Sequence, residues 1–151
     1  MLKIHTETII DAPLDRVREL LADTSLYPQW HTLFPQVSGQ MEVGAAIEVT
    51  VALPEIKPFT VRATIREYNA GVRLCWRYGY RLPGLFSWTY RYEVAELERG
   101  RVKFVQDSSY AGLLAPLYHL GMKRALQQGL FELNKAVQRW GERRGISCLK
   151  C

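Results

Sequence analysis

Residues 86–94 read FSWTYRYEV. Alternate residues of a strand point to opposite sides, so Phe86, Trp88, Tyr90 and Tyr92 share one face, with Ser87, Thr89, Arg91 and Glu93 on the other. The stretch predicts an aromatic wall backed by a wet surface. The same period recurs on both sides of it. Ile47, Val49, Val51 and Leu53 oppose Glu48, Thr50 and Ala52; Phe59, Val61, Ala63 and Ile65 oppose Thr60, Arg62, Thr64 and Arg66. Leu74, Trp76, Tyr78 and Tyr80 oppose Arg73, Cys75, Arg77 and Gly79, and Val102, Phe104, Gln106, Ser108 and Tyr110 oppose Lys103, Val105, Asp107 and Ser109. Gly44, Pro54, Pro58, Asn69, Gly71, Pro83, Gly84 and Gly100 punctuate these runs. Such a pattern predicts an antiparallel meander with one buried face.

Before the meander, Ile4 to Ile10 reads as a strand, and Pro13 fits the first turn of a helix striped by Leu14, Val17, Leu20 and Leu21. DTSLYPQW (23–30) follows as a short second helix or tight turn, with Asp23, Thr24 or Ser25 available as caps. After it, Ala115, His119, Met122, Leu126, Leu130, Leu133, Val137 and Trp140 recur by threes and fours, predicting one long helix over roughly 113–143. Thirty such residues make a rod of about 45 Å. Gly121 and Gly129 inside it indicate either close packing on the sheet or room left beside it. One sheet gripping one helix is an α+β architecture.

At 151 residues, 48% apolar and 23% charged, the chain is long enough for one domain with its own core. We read residues 1–145 as that domain and 146–151 as a tail, in which Cys148 and Cys151 form a lone C-x-x-C without a second pair to make a zinc site. No secretory signal or membrane span is legible, so a soluble protein of a reducing cytoplasm is expected. Transient contact with a membrane and the oligomeric state stay open. The net charge is +5, and residues 119–150 alone carry seven cations against two acids. That fits a solvated helix face near the negative end of its dipole. Without exposed stacking aromatics beside the cations, no nucleic-acid partner is expected. Phosphate loops, dinucleotide fingerprints and metal-ligand spacings are absent, so neither cofactor nor metal is expected.

The inward set is unusual for a solid core, because it carries Tyr78, Tyr80, Tyr90, Tyr92 and Tyr110, two tryptophans, Gln106 and Ser108. A buried hydroxyl without a partner costs about 1–3 kcal/mol. These groups must meet one another, water or a guest; periodicity alone leaves a filled core and a cavity equally open.

IDAP (10–13) with Val17, then Asp23 and YPQW (27–30), resembles the opening of the START-like, helix-grip superfamily, which includes polyketide cyclases/dehydrases and lipid-transport proteins. PGLFSW (83–88), FVQDSSYAGLLAP (104–116), Gly129 and Asn134 resemble its closing half, and the match runs over nearly the whole chain. The resemblance implies a curved antiparallel sheet of about seven strands wrapped around a long C-terminal helix, with two short helices after the first strand and a hydrophobic ligand cavity between sheet and helix. His31 stands where such sequences often have Asn, and Trp88 where Gly is common. That bulk favours a small aromatic or isoprenoid-like ligand over a large lipid.

The first expectation is therefore a binder of a small hydrophobic or aromatic molecule (lipid-, isoprenoid- or polyketide-like) between the sheet and the C-terminal helix, stacked by Trp76, Trp88 and Tyr90, with polar contacts from Tyr78, Gln106 and His31. The further expected lining is Trp30, Phe34, Val61, Phe104, Tyr118, His119, Met122 and Leu126. A second expectation is a cyclase, aromatase or dehydratase in which His31, His119 and a tyrosine such as Tyr78 move protons. A third is a protein-interaction domain whose aromatics fill the interior.

Overall fold

The computed structural model describes residues 2–142. The tail with Cys148 and Cys151 lies outside them. Seven strands form one antiparallel sheet: β1 (Leu2–Ile10), β2 (Gln36–Ser38), β3 (Ala46–Val51), β4 (Phe59–Asn69), β5 (Arg73–Gly79), β6 (Ser87–Glu98) and β7 (Arg101–Ala111). Their order is β1-β7-β6-β5-β4-β3-β2, so the first two strands occupy opposite edges. Between them run α1 (Leu14–Ala22), a 3-10 turn (Thr24–Leu26) and α2 (Tyr27–Trp30); α3 (Ala115–Glu142) closes the chain.

The alternation of the sequence is the alternation of burial. Every second residue of β7 from Val102 to Tyr110 is buried, and Trp88, Tyr90, Tyr92 and Val94 of β6 lie beside them. Register ties the two rows together: Trp88 pairs with Tyr110, Tyr90 with Ser108 and Tyr92 with Gln106. A bulge between Ile65 and Glu67 shifts the parity of β4, which brings Tyr68 opposite Leu74. β2 is the strand that residue patterning did not show; three residues are too short for a period to appear.

The connection from β1 to β2 covers one mouth of the sheet. Val17 and Leu21 bury the inner stripe of α1, and Asp23 caps the following turn by accepting from the Ser25 N–H at 3.1 Å. The Tyr27 hydroxyl donates to the Leu21 carbonyl, which locks α2 onto α1. Gly71, at φ +73°, is needed where the β4–β5 turn presses on α1: a Cβ there would lie 2.0 Å from the Arg18 carbonyl oxygen.

Candidate functional site

The inner face of the sheet divides into two regions along α3. Over its second half, Leu126, Leu130, Leu133 and Val137 are completely buried against the sheet. Gln106, itself fully buried, is the polar centre of this region. Its Oε1 accepts from the Tyr90 hydroxyl at 2.6 Å, and its Nε2 donates to the Leu130 carbonyl at 3.0 Å and to Asn134 Oδ1 at 2.8 Å. Those bonds satisfy the phenol internally. Phe34, arriving from the loop after α2, plugs the space between Trp76 and Tyr90, with ring centroids 5.6 and 4.7 Å away. What remains there is a crevice of about 10 Å³ that reaches Tyr27, His31, Phe34, Trp76, Tyr90 and Tyr92. It is about the size of one water.

Under the first half of α3 the faces separate. A cavity of about 220 Å³ lies between Phe59, Thr60 and Val61 of β4, Tyr78 of β5, Tyr80 and Phe86 of the β5–β6 turn, Trp88 of β6, Tyr110 of β7, and Tyr118 and Met122 of α3. Val61, Phe86, Trp88 and Tyr110 are its buried floor, while Phe59, Tyr78, Tyr80, Tyr118 and Met122 are half-buried at its rim. The Tyr80 and Tyr118 hydroxyls share a hydrogen bond across the rim, from sheet to helix. Phe86 lies against Tyr118 at 4.2 Å between centroids. Two larger grooves, of about 500 and 430 Å³, flank α3 on the outside; Arg124 and Gln128 line both.

Polar groups on the floor are few. The Trp88 indole N–H donates to Ser108 Oγ at 2.6 Å. The Tyr110 hydroxyl is buried without a partner, as is Nδ1 of His119, whose ring meets Tyr110 edge-on at 5.8 Å. Burial pushes the Tyr110 pKa up, so this phenol keeps its proton and acts as a neutral donor.

The expected site residues therefore separate. Val61, Tyr78, Trp88, Tyr118 and Met122 line the cavity. Trp76, Tyr90, Phe34 and His31 line the small crevice instead, and Gln106, Phe104, Trp30 and Leu126 are buried in the core. The two imidazoles do not share a space: His119 packs on Tyr110, while His31 accepts from the Phe34 N–H at 2.9 Å. Complete burial drives the His31 pKa down to about 3, so it is neutral. Phe59, Thr60, Tyr80, Phe86 and Tyr110 line the cavity although they were not among the expected lining; they sit at strand ends and in a turn. The outward charged groups pair among themselves. His5 stands 2.5 Å from Asp107 and 2.8 Å from Glu7, and Arg91 reaches Glu67 and Glu93. Among the described residues no cluster of three His, Cys, Asp or Glu is arranged to hold a metal.

Strand order and the long closing helix agree with what the comparisons show. Residues 1–138 match the family described as polyketide cyclase/dehydrase and lipid transport. The chain belongs to that family. Its fold is similar to the Zhui aromatase/cyclase from Streptomyces sp. R1128, with TM-score 0.72, 16% identity, and 97% of each chain covered. It is similar to a START superfamily protein from Mycobacterium smegmatis (TM-score 0.70, 13% identity, 93% of this chain and 97% of that one). A hypothetical protein from Helicobacter pylori is also similar (TM-score 0.72, 17% identity, 93% and 88%). Among curated proteins, none matches. At these identities the structures establish the helix-grip fold and nothing finer.

Proposed function

We propose that this chain binds a small, flat, mainly apolar molecule in the cavity under the first half of α3. The observation that carries this is the cavity itself: about 220 Å³ of space walled by aromatic rings, in a sheet whose other half is filled. A cavity of about 150 Å³ holds benzene, so this volume suits about two fused rings and does not suit a long acyl chain. Trp88 and Phe86 supply the stacking surfaces, and the Tyr110 hydroxyl is a donor that a guest oxygen would satisfy.

Titrating the protein with 1-naphthol while following tryptophan fluorescence tests the reading, since Trp88 is in the wall. Saturable quenching is expected, and Met122→Trp, which fills the space from the helix side, should weaken it about tenfold or more. Native mass spectrometry of the purified protein should retain an apolar passenger that Met122→Trp loses. No saturable response to naphthol or to naphthalene would overturn the assignment. Trp88→Gly would widen the cavity, but it also deletes the bond to Ser108.

A second reading rests on the same Tyr110 and His119. The Tyr110 hydroxyl on the cavity floor could polarise a carbonyl, and the His119 ring packed behind it carries a second unpartnered polar atom that could move a proton, as a cyclisation or dehydration requires. His31 has no part in it, being committed to the Phe34 N–H. If this reading holds, Tyr110→Phe and His119→Ala each abolish turnover of a candidate polyketide-type substrate while naphthol still binds; turnover that survives both removes it.

A further inference from the structure

The end of the molecule that carries the cavity rim also presents apolar surface that the fold leaves uncovered. Leu113, Leu117 and Leu120 are 79%, 67% and 85% exposed, and Leu82 is 67% exposed. Residues three and four apart share a helix face, so Leu117, Leu120 and Arg124 form one outward stripe of α3. The Leu113 N–H donates to the Gly84 carbonyl and the Leu114 N–H to that of Leu85, both at 2.9 Å. These bonds hold the β5–β6 turn beside the start of α3 and bring Leu82 to the same end. Single exposed leucines are ordinary, whereas four on two joined segments make a patch.

Charge at this end has one dominant sign. Residues 108–131 contain no Asp or Glu, and neither do residues 80–86. Arg81, Lys123 and Arg124 are exposed there, together with Lys57 in the β3–β4 turn. Glu55, in the same turn, lines the groove beside Arg124 and is the acid placed among them.

We propose that this end docks on an anionic lipid surface, with the leucines entering the interfacial layer and the cations meeting the headgroups. Leucine with flanking Lys and Arg is the composition of helices that lie in a membrane interface. Protein hot spots favour Trp and Tyr, with Leu under-represented; here the large exposed apolar side chains are leucines, while Tyr80 and Tyr118 are half-buried and bonded to each other at the cavity rim. No helix among the described residues is long and apolar enough to cross a bilayer, so the contact is peripheral and reversible. The docking does not depend on the cavity being occupied. Where the ligand reading also holds, the Tyr80–Tyr118 rim lies at the lipid side, and an apolar guest can pass without crossing bulk water.

Co-sedimentation with large unilamellar vesicles tests this. The full chain should partition onto phosphatidylcholine vesicles containing about 30% phosphatidylglycerol about tenfold better than onto phosphatidylcholine alone. Raising salt from about 0.05 to about 0.5 M should reduce the difference. Leu117→Glu with Leu120→Glu should cut binding about tenfold, and Lys123→Glu with Arg124→Glu should remove the preference for the anionic vesicles. All four side chains are exposed, and an unchanged melting curve for each pair verifies that the fold persists. Equal partition onto both vesicle types overturns the proposal, and so does anionic binding that the leucine pair leaves unchanged. A dimer dissolved by Leu117→Glu/Leu120→Glu in a protein that ignores vesicles assigns the patch to a second copy of the chain and also overturns it. None of these outcomes depends on naphthol binding, so the two readings fail separately.

Discussion

Residues 126–137 and 115–125 belong to one helix on one sheet, yet the first segment touches the strands everywhere and the second stands over a space. The difference lies in what each pair of surfaces brings. Against the strands, the second half of α3 offers branched aliphatic side chains, which interdigitate, and a carboxamide network that joins Tyr90, Gln106, the Leu130 carbonyl and Asn134. The first half brings rings to rings: Tyr118 to Phe86 and Tyr80, His119 to Tyr110. Tyr118 meets Tyr80, and His119 meets Tyr110, edge to face with centroids 6.2 and 5.8 Å apart, which leaves gaps that no methyl group reaches. Aromatic content alone therefore does not make a cavity, since Trp76 and Tyr90 are as aromatic as Trp88 and are packed solid by Phe34.

The contrast breaks most visibly under truncation. Leu130→Ala, at a fully buried position, should cost about 2–5 kcal/mol in urea unfolding, whereas Met122→Ala, already beside empty space, should cost less than half as much. Equal losses would mean that the cavity closes in solution.

Acid should attack the filled half selectively. Free histidine protonates near 6.5, whereas His31 holds out to about 3 because burial disfavours its charge. Between those limits the unfolded chain binds the extra proton, so stability falls as pH falls, by up to about 1.4 kcal/mol per pH unit. His5 works in the opposite sense. Glu7 and Asp107 raise its pKa, so the stability it adds is complete below 6.5 and is lost as pH rises through its folded value. Chemical unfolding at stepped pH on His31→Gln, which keeps an acceptor but cannot titrate there, should show a flatter acid limb than the parent. An identical limb would place the acid sensitivity elsewhere.

The smallest effects, again of opposite sign, come from two glycines of α3, Gly121 and Gly129. A Cβ on Gly129 would lie 3.1 Å from Leu53 and 3.2 Å from Leu33. Overpacking of about 1–3 kcal/mol should outweigh the gain of about 1 kcal/mol in helix propensity. Gly121 has nothing within 4 Å, so Gly121→Ala should stabilise by up to about 1 kcal/mol. Melting curves of the two variants moving in the same direction would contradict the division of the helix.

Much of this was legible beforehand. Period-two alternation placed the inward faces of β4 to β7, and threefold and fourfold spacing placed the inner stripe of α3. Both roles suggested for the helical glycines occur, one at each position. Depth was not legible. Parity says that Trp76, Tyr78, Trp88 and Tyr90 point inward, but not which of them the helix covers closely. That depends on Phe34, a loop residue without a period, and on where along the strands α3 lifts. His31 looked like a proton carrier because of its place after YPQW; its backbone partner three residues on, Phe34, is visible only in the folded chain.

The placement of β1 and β2 at opposite edges bears on how the chain assembles. From β3 to β7 every pairing joins neighbours in sequence, whereas β1 must find β7 across a separation of 102 residues at His5 and Asp107. Closing so long a loop is entropically the dearest step, so the hairpins form first and the N-terminal strand zips on last. Pulse-labelled hydrogen exchange should protect the amides of β5 and β6 before those of β1. Until that late event the outer edge of β7 is an open template, and a nascent chain is most exposed to edge-to-edge self-association in that interval.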